Sequence, residues 1–77
     1  VEKISKNFLN LKNKIKYTKN INQFLQKTKK DFERFFNIKI EYLENRNIND
    51  LSMSNKYNGS KIFLAYYYKG VRLIDNF

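Results

Sequence analysis

A chain of 77 residues holds one domain and one modest core, because a chain this short buries only about 60% of the surface it exposes when unfolded. It has no cysteine and no histidine, which excludes disulfides, thiolate metal sites and the commonest general base. Sixteen Lys and Arg against seven Asp and Glu leave a net charge of +9. Such a field points to a polyanionic partner, nucleic acid before anionic membrane, with solvated surface charge as the plain alternative.

The charge is uneven. Residues 1–30 carry nine Lys and one Glu, 31–53 five acids and three bases, and 54–77 four bases and one acid. Phe, Ile, Lys, Asn and Tyr make up 46 of the 77 residues, and all five have AT-only codons, so an AT-rich genome accounts for part of the lysine. The longest apolar run, "IFLAYYY", has seven residues, far short of the roughly 20 that span a bilayer. No signal-peptide pattern opens the chain. Val1, where Met is expected, is consistent with processing, a fragment or an unusual start codon.

In "VEKISKNFLNLKNKI", Val1, Ile4, Phe8, Leu11 and Ile15 recur at helical spacing. A strand-like alternation overlaps it, with Leu11, Asn13, Ile15 and Tyr17 against Lys12, Lys14, Lys16 and Thr18. The reading adopted is a helix to about residue 10 and a short strand over 11–18; one continuous helix competes. "NINQFLQKTKKDFERFFN" predicts an amphipathic helix whose core face is Ile21, Phe24, Leu25, Thr28, Phe32, Phe35 and Phe36. Asn20 and Gln23 have capping-box spacing, and Asn37 is a suitable stop. "IKIEYLE", residues 38–44, alternates as a strand that buries Ile38, Ile40 and Tyr42. Residues 45–59 read as a long polar loop, functional or mobile.

"KIFLAYYYK" reads two ways. As a strand it puts Ile62, Leu64, Tyr66 and Tyr68 on one face and Phe63, Ala65 and Tyr67 on the other. As a helix from about Ser60 to Asp75 it would carry Gly70 at a cost of roughly 1 kcal/mol. Propensity favours the strand. In either form at least one of the three tyrosines must face away from the main core.

No set of residues has catalytic or metal-site spacing. Glu41 and Glu44 point to opposite faces of a strand, Asp31 and Glu33 lie among lysines on a helix surface, and Asp50 and Asp75 lack evident partners. No phosphate-binding glycine loop is present, and no cofactor or metal is implied. The binding signal is stronger. On a strand over 11–18, Lys12, Lys14 and Lys16 would line one face with Lys19 following, a row able to track phosphates with Tyr17 stacking on a base. Lys27, Lys29 and Lys30 lie off the apolar helix face, and Arg46 and Tyr67 complete the candidate RNA-binding set.

From the central helix onward, "FLQKTKKDFERFFNIKIEYLENRNINDLS" and "SKIFLAYYYKGVRLIDNF" resemble the type II KH domain of the family of small-subunit ribosomal protein three. The order of basic amphipathic helix, strand ending in Glu, Asn-rich Asp-Leu turn, then Ala65, Tyr67 and "RLIDN" carries the resemblance. The family's Gly-x-x-Gly loop would fall at residues 17–20, "YTKN", which hold no glycine. The resemblance implies a helix over the last segment, against local propensity.

The expected protein is a small α+β single domain, KH-like, over residues 1–77, or a fragment of one. Its amphipathic helices would pack on a short sheet in the order helix–strand–helix–strand plus a terminal element. The expected function is structural: a ribosomal protein, shortened or split, in a mitochondrion or other organelle. Its partners would be rRNA, through the N-terminal lysines, and neighbouring ribosomal proteins; it would catalyse no reaction. A phage or virus protein that binds nucleic acid or inhibits a host nucleic-acid enzyme is the first alternative. A small ribonuclease toxin dependent on Arg46 and Arg72 is the second.

Overall fold

The computed structural model describes residues 2–77. Helices α1 (Glu2–Ile15) and α2 (Ile21–Phe36) precede strands β1 (Lys39–Asn47), β2 (Ser60–Tyr68) and β3 (Val71–Asn76). The strands form one antiparallel sheet in the order β1-β2-β3. Buried residues of both helices meet one face of this sheet in a single core. The chain is therefore a small α+β domain, as expected, but its order is two helices followed by three strands rather than the alternating KH-like one.

The strand expected over 11–18 does not form. α1 continues through Leu11 and Ile15, which are 1% and 0% exposed, on the stripe begun by Ile4 and Phe8. Burying that stripe outweighs the local alternation with lysine. Val1, the first residue of the expected stripe, lies outside the described residues.

α2 buries Ile21, Leu25 and Thr28, with Phe24, Phe32 and Phe36 partly covered. Phe35 does not join the core and is 76% exposed, one step past the edge of the stripe. The capping box is also absent: Asn20 Nδ2 donates to Gln23 Oε1 (2.9 Å), side chain to side chain, and neither reaches a backbone amide. Asn37 does end the helix, in the left-handed conformation at φ 53°.

β1 starts and ends later than the pattern predicts. A bulge between Ile40 and Tyr42 inserts Glu41, and an extra residue reverses the alternation beyond it. Ile40 therefore faces the core, but Leu43 and Asn45 follow it there, leaving Tyr42 on the other face. Glu33, expected on a solvated surface, accepts the Ile40 amide through Oε2 (2.9 Å) beside the bulge.

Residues 48–59 are tied to the domain by amides. Asn22 Oδ1 accepts the Asn45 backbone amide (2.8 Å), and its Nδ2 donates to the carbonyls of Asn45 (3.1 Å) and Ser54 (2.9 Å). The wholly buried Asn45 donates from Nδ2 to the Ser54 carbonyl (2.9 Å) and the Ser60 hydroxyl (3.0 Å).

Residues 60–68 form a strand, as local propensity favours, and not the helix that the ribosomal resemblance implied. β3 is the element the sequence reading missed. Lys69 and Gly70, at φ 50° and 81°, make the two-residue connection between Tyr68 and Val71, the sign pattern of a type I′ hairpin turn. The pairing runs on to Phe77, which exchanges two backbone bonds with Ile62 (2.7 and 3.0 Å). Lys12 staples this end to α1: its Nζ donates to the carbonyls of Ser60 (3.3 Å) and Phe77 (3.2 Å) and sits 5.1 Å from the Tyr57 ring centre.

Two outcomes test this architecture. No atom lies within 4 Å of a Cβ built on Gly70, so the cost of Gly70→Ala is conformational. The substitution should lower stability by about 1 kcal/mol in urea unfolding, and an unchanged midpoint would count against the turn. For Lys12, burial and then the Lys61 charge lower its pKa below the ordinary 10.5. The folded chain therefore releases this proton at lower pH than the unfolded chain, and stability rises with pH through that window. The wild-type chain should gain on Lys12→Met as pH climbs from neutral toward 10.5. A difference in urea midpoint that stays constant with pH would remove the staple's electrostatic account.

Candidate functional surfaces: the open sheet face and the lysine-bearing helices

The register sorts the side chains of the face that the helices leave bare. Tyr42, Ala65 and Ile74 lie side by side across the three strands. Beside them run Glu44, Phe63 and Asn76 on one side and Lys39, Tyr67 and Arg72 on the other. Ile74 is 61% exposed and Tyr67 37%, Ala65 is fully covered, and Leu51 of the β1–β2 loop joins the Phe63 end of the face. Tyr42, Glu44, Arg46, Leu51 and Phe63 line a shallow hollow here.

Two ion pairs frame this face. Arg72 reaches Glu41 Oε2 through Nε (3.0 Å) and Nη2, spanning the sheet from one edge strand to the other. The bulge places Glu41, and hydrogen bonding to it holds the Arg72 guanidinium above its ordinary pKa. Arg46 donates to Glu44 Oε1 from Nε (3.1 Å) and Nη2 (2.9 Å), and from Nη1 to the Leu51 carbonyl (2.6 Å), clamping the loop. Pairs this exposed add little stability, because solvent screens them. Their effect is to fix geometry and to neutralise charge.

The tyrosine run divides accordingly. Tyr66 is core, 4% exposed and 5.2 Å from the Phe8 ring, and Tyr68 packs against the core edge. Tyr67 alone turns to the open face.

The ten residues expected to form one binding site do not share a surface. Lys12 is occupied by the carbonyls it staples. Lys14, Lys16 and Lys19 are exposed at the end of α1 and in the turn beyond it, beside Tyr17 at 85% exposure. On α2, Lys27 and Lys30 are exposed and Lys29 is half-buried. Without the strand, Lys12, Lys14 and Lys16 make no single row, because alternate residues of a helix point about 200° apart. Arg46 and Tyr67 belong to the opposite layer. The helical layer is strongly basic, with ten bases against three acids over residues 2–36. Among the described residues the ion pairs involve arginine and no lysine.

The open face was missed because the two-sided apolar strand "IFLAYYY" does not record which of its faces the helices cover. Tyr42 was expected in the core, Glu41 and Phe63 were placed only as strand residues, Ile74 was not singled out, and Arg72 entered only as a residue of the toxin alternative. Among the described residues no group of three or more acidic, His or Cys side chains could hold a metal ion. The surfaces offer guanidinium, ammonium and phenol groups, which bind and orient anions.

A family model described as pantoate-beta-alanine ligase matches residues 2–77. No curated protein and no solved structure matches the chain. The family match overturns the expected kinship with the small-subunit ribosomal protein, and with it the KH assignment, the rRNA and ribosomal-protein partners and a role in translation. It overturns the expectation of no reaction as well, since the family is one of ligases. Neither the nucleic-acid-binding virus protein nor the ribonuclease toxin finds support. Both helices and all three strands fall within the match, and the chain belongs to the pantoate-beta-alanine ligase family.

Proposed function

We propose that the chain serves the joining of pantoate to beta-alanine. The family match over residues 2–77 carries this reading. The reaction condenses a carboxylate with an amine, so at least one reactant arrives as an anion. The basic helical layer suits that reactant: a concentrated positive field raises the local concentration of anions and their rate of arrival. The described residues offer no paired acid and base for proton transfer, so their contribution is attraction and placement. On this reading the lysines once assigned to phosphates of RNA act on small anions.

Condensing a free carboxylate with an amine is uphill in water, so the assay includes a nucleoside triphosphate to drive it. Protein purified from its source, given pantoate, beta-alanine and the triphosphate, should form the amide, detected by mass spectrometry. No amide at any protein concentration would refute the reading. Reversing two exposed charges, Lys27→Glu with Lys30→Glu, should raise the KM for pantoate roughly two- to fivefold at low salt. Much of that difference should vanish near 1 M salt, where the screening length is about 3 Å.

A further inference from the structure

α1 and α2 meet over a hollow that opens to solvent. On α2, Phe24, Lys27, Thr28, Asp31 and Phe32 follow one another at helical spacing along its wall. Leu11 and Lys14, one turn apart on α1, complete it. We propose that this hollow is a binding site for a small organic acid, a carboxylate on a short branched hydrocarbon body.

Thr28 carries the argument. It is 8% exposed, on the face of α2 that turns to the core, where valine would fill the same shape. A threonine inside a helix commonly donates its hydroxyl to the carbonyl four residues back. Thr18, just beyond α1, does so toward the Lys14 carbonyl (3.0 Å). The Thr28 hydroxyl has no such partner among the described residues, yet Thr28 borders the hollow. A hydroxyl covered and left unpaired costs stability, and an acceptor placed in the hollow would satisfy it.

The charges at the opening favour an anion as that acceptor. Lys14 and Lys27 are exposed and enter no ion pair among the described residues. Asp31, on the same wall, is held by Arg34 Nη2 (3.2 Å), which offsets the repulsion it would exert on an anion. Two ammonium groups and one hydroxyl therefore offer hydrogen bonds around one opening.

The walls select the rest of the ligand. Leu11 is buried and Phe24 and Phe32 are partly covered, so much of the lining is hydrocarbon. Inorganic phosphate would press charged oxygens against these walls, where no donor answers them, at a cost in desolvation. A carboxylate confines its charge to two oxygens, which the lysines and Thr28 can answer, and its hydrocarbon body covers the apolar wall. The inference does not rest on the ligase reading, since its test reads binding and not turnover.

The test is a titration of the isotope-labelled chain with isovalerate to about 30 mM at fixed ionic strength, followed by amide chemical shifts. Saturable shifts should appear at residues 11–14 and 24–32, with a Kd of about 1–10 mM. Acetate, which lacks the branched body, and inorganic phosphate should each bind there about fivefold more weakly. Lys14→Met with Lys27→Met should weaken isovalerate about tenfold. Thr28→Val should weaken it about three- to tenfold and leave the melting temperature unchanged or raised, because no bond within the fold is lost. Absence of saturable shifts at these residues would overturn the proposal, and so would phosphate binding as tightly as isovalerate. A Thr28→Val chain that melts lower and binds isovalerate as before would assign the hydroxyl to the fold and overturn the site equally.

Discussion

β2 lies between two antiparallel neighbours and sends Ile62, Leu64 and Tyr66 into the core that it shares with the helices. β1 and β3 pair with that strand on either side, whereas α2 packs chiefly against β1. α1 brings Phe8 against Tyr66, with ring centres 5.2 Å apart, and Phe8 in turn meets Phe32 of α2 at 5.1 Å. β3 zips along the far edge until Phe77 closes on Ile62, and Lys12 locks that closure to α1. Fully burying an Ile, Leu or Phe side chain contributes about 1.5–3 kcal/mol, against a net stability of about 5–15 kcal/mol for a whole domain. With so few core residues, which side of β2 meets the helices is decisive.

The bulge in β1 serves the same constraint. Without it the alternation set by Ile38 and Ile40 would turn Tyr42 and Glu44 inward and Leu43 outward. One extra residue at Glu41 reverses that order, so Leu43 and Asn45 lie beside Leu64 and Ile62. The reversal puts Asn45 where it can organise the long loop, with Asn22 of α2 satisfying its backbone. It also aims Glu41 across the open face at Arg72. Core packing, loop anchoring and the surface ion pair thus follow from a single inserted residue.

What could be read from the sequence follows from how local each signal is. α2 was legible because its apolar stripe repeats over four turns and Asn37 tolerates the left-handed stop. The two-sided strand at 60–68 was legible from β-branched and aromatic propensity. The strand wrongly expected over 11–18 arose because alternate lysines in an AT-biased chain imitate a strand's polar face. Only the burial of Leu11 and Ile15 against residues far along the chain distinguishes the two. The bulge left no signature, since Glu41 looks like any outward residue of an alternating strand. β3 was hidden because its turn is Lys-Gly instead of Asn-Gly. The open face required knowing which side of β2 the helices take, which no local pattern records.

The functional error has the same origin. Net charge reports on solubility, steering and the sign of a partner, not on its class. Lysine enrichment driven in part by codon usage would decorate a ligase and a ribosomal protein alike. The family match separates the two readings. Lys12 leaves the expected row to staple Ser60 and Phe77, while Lys14 and Lys27 line one hollow between the helices. The basic field of the helical layer can attract small anions.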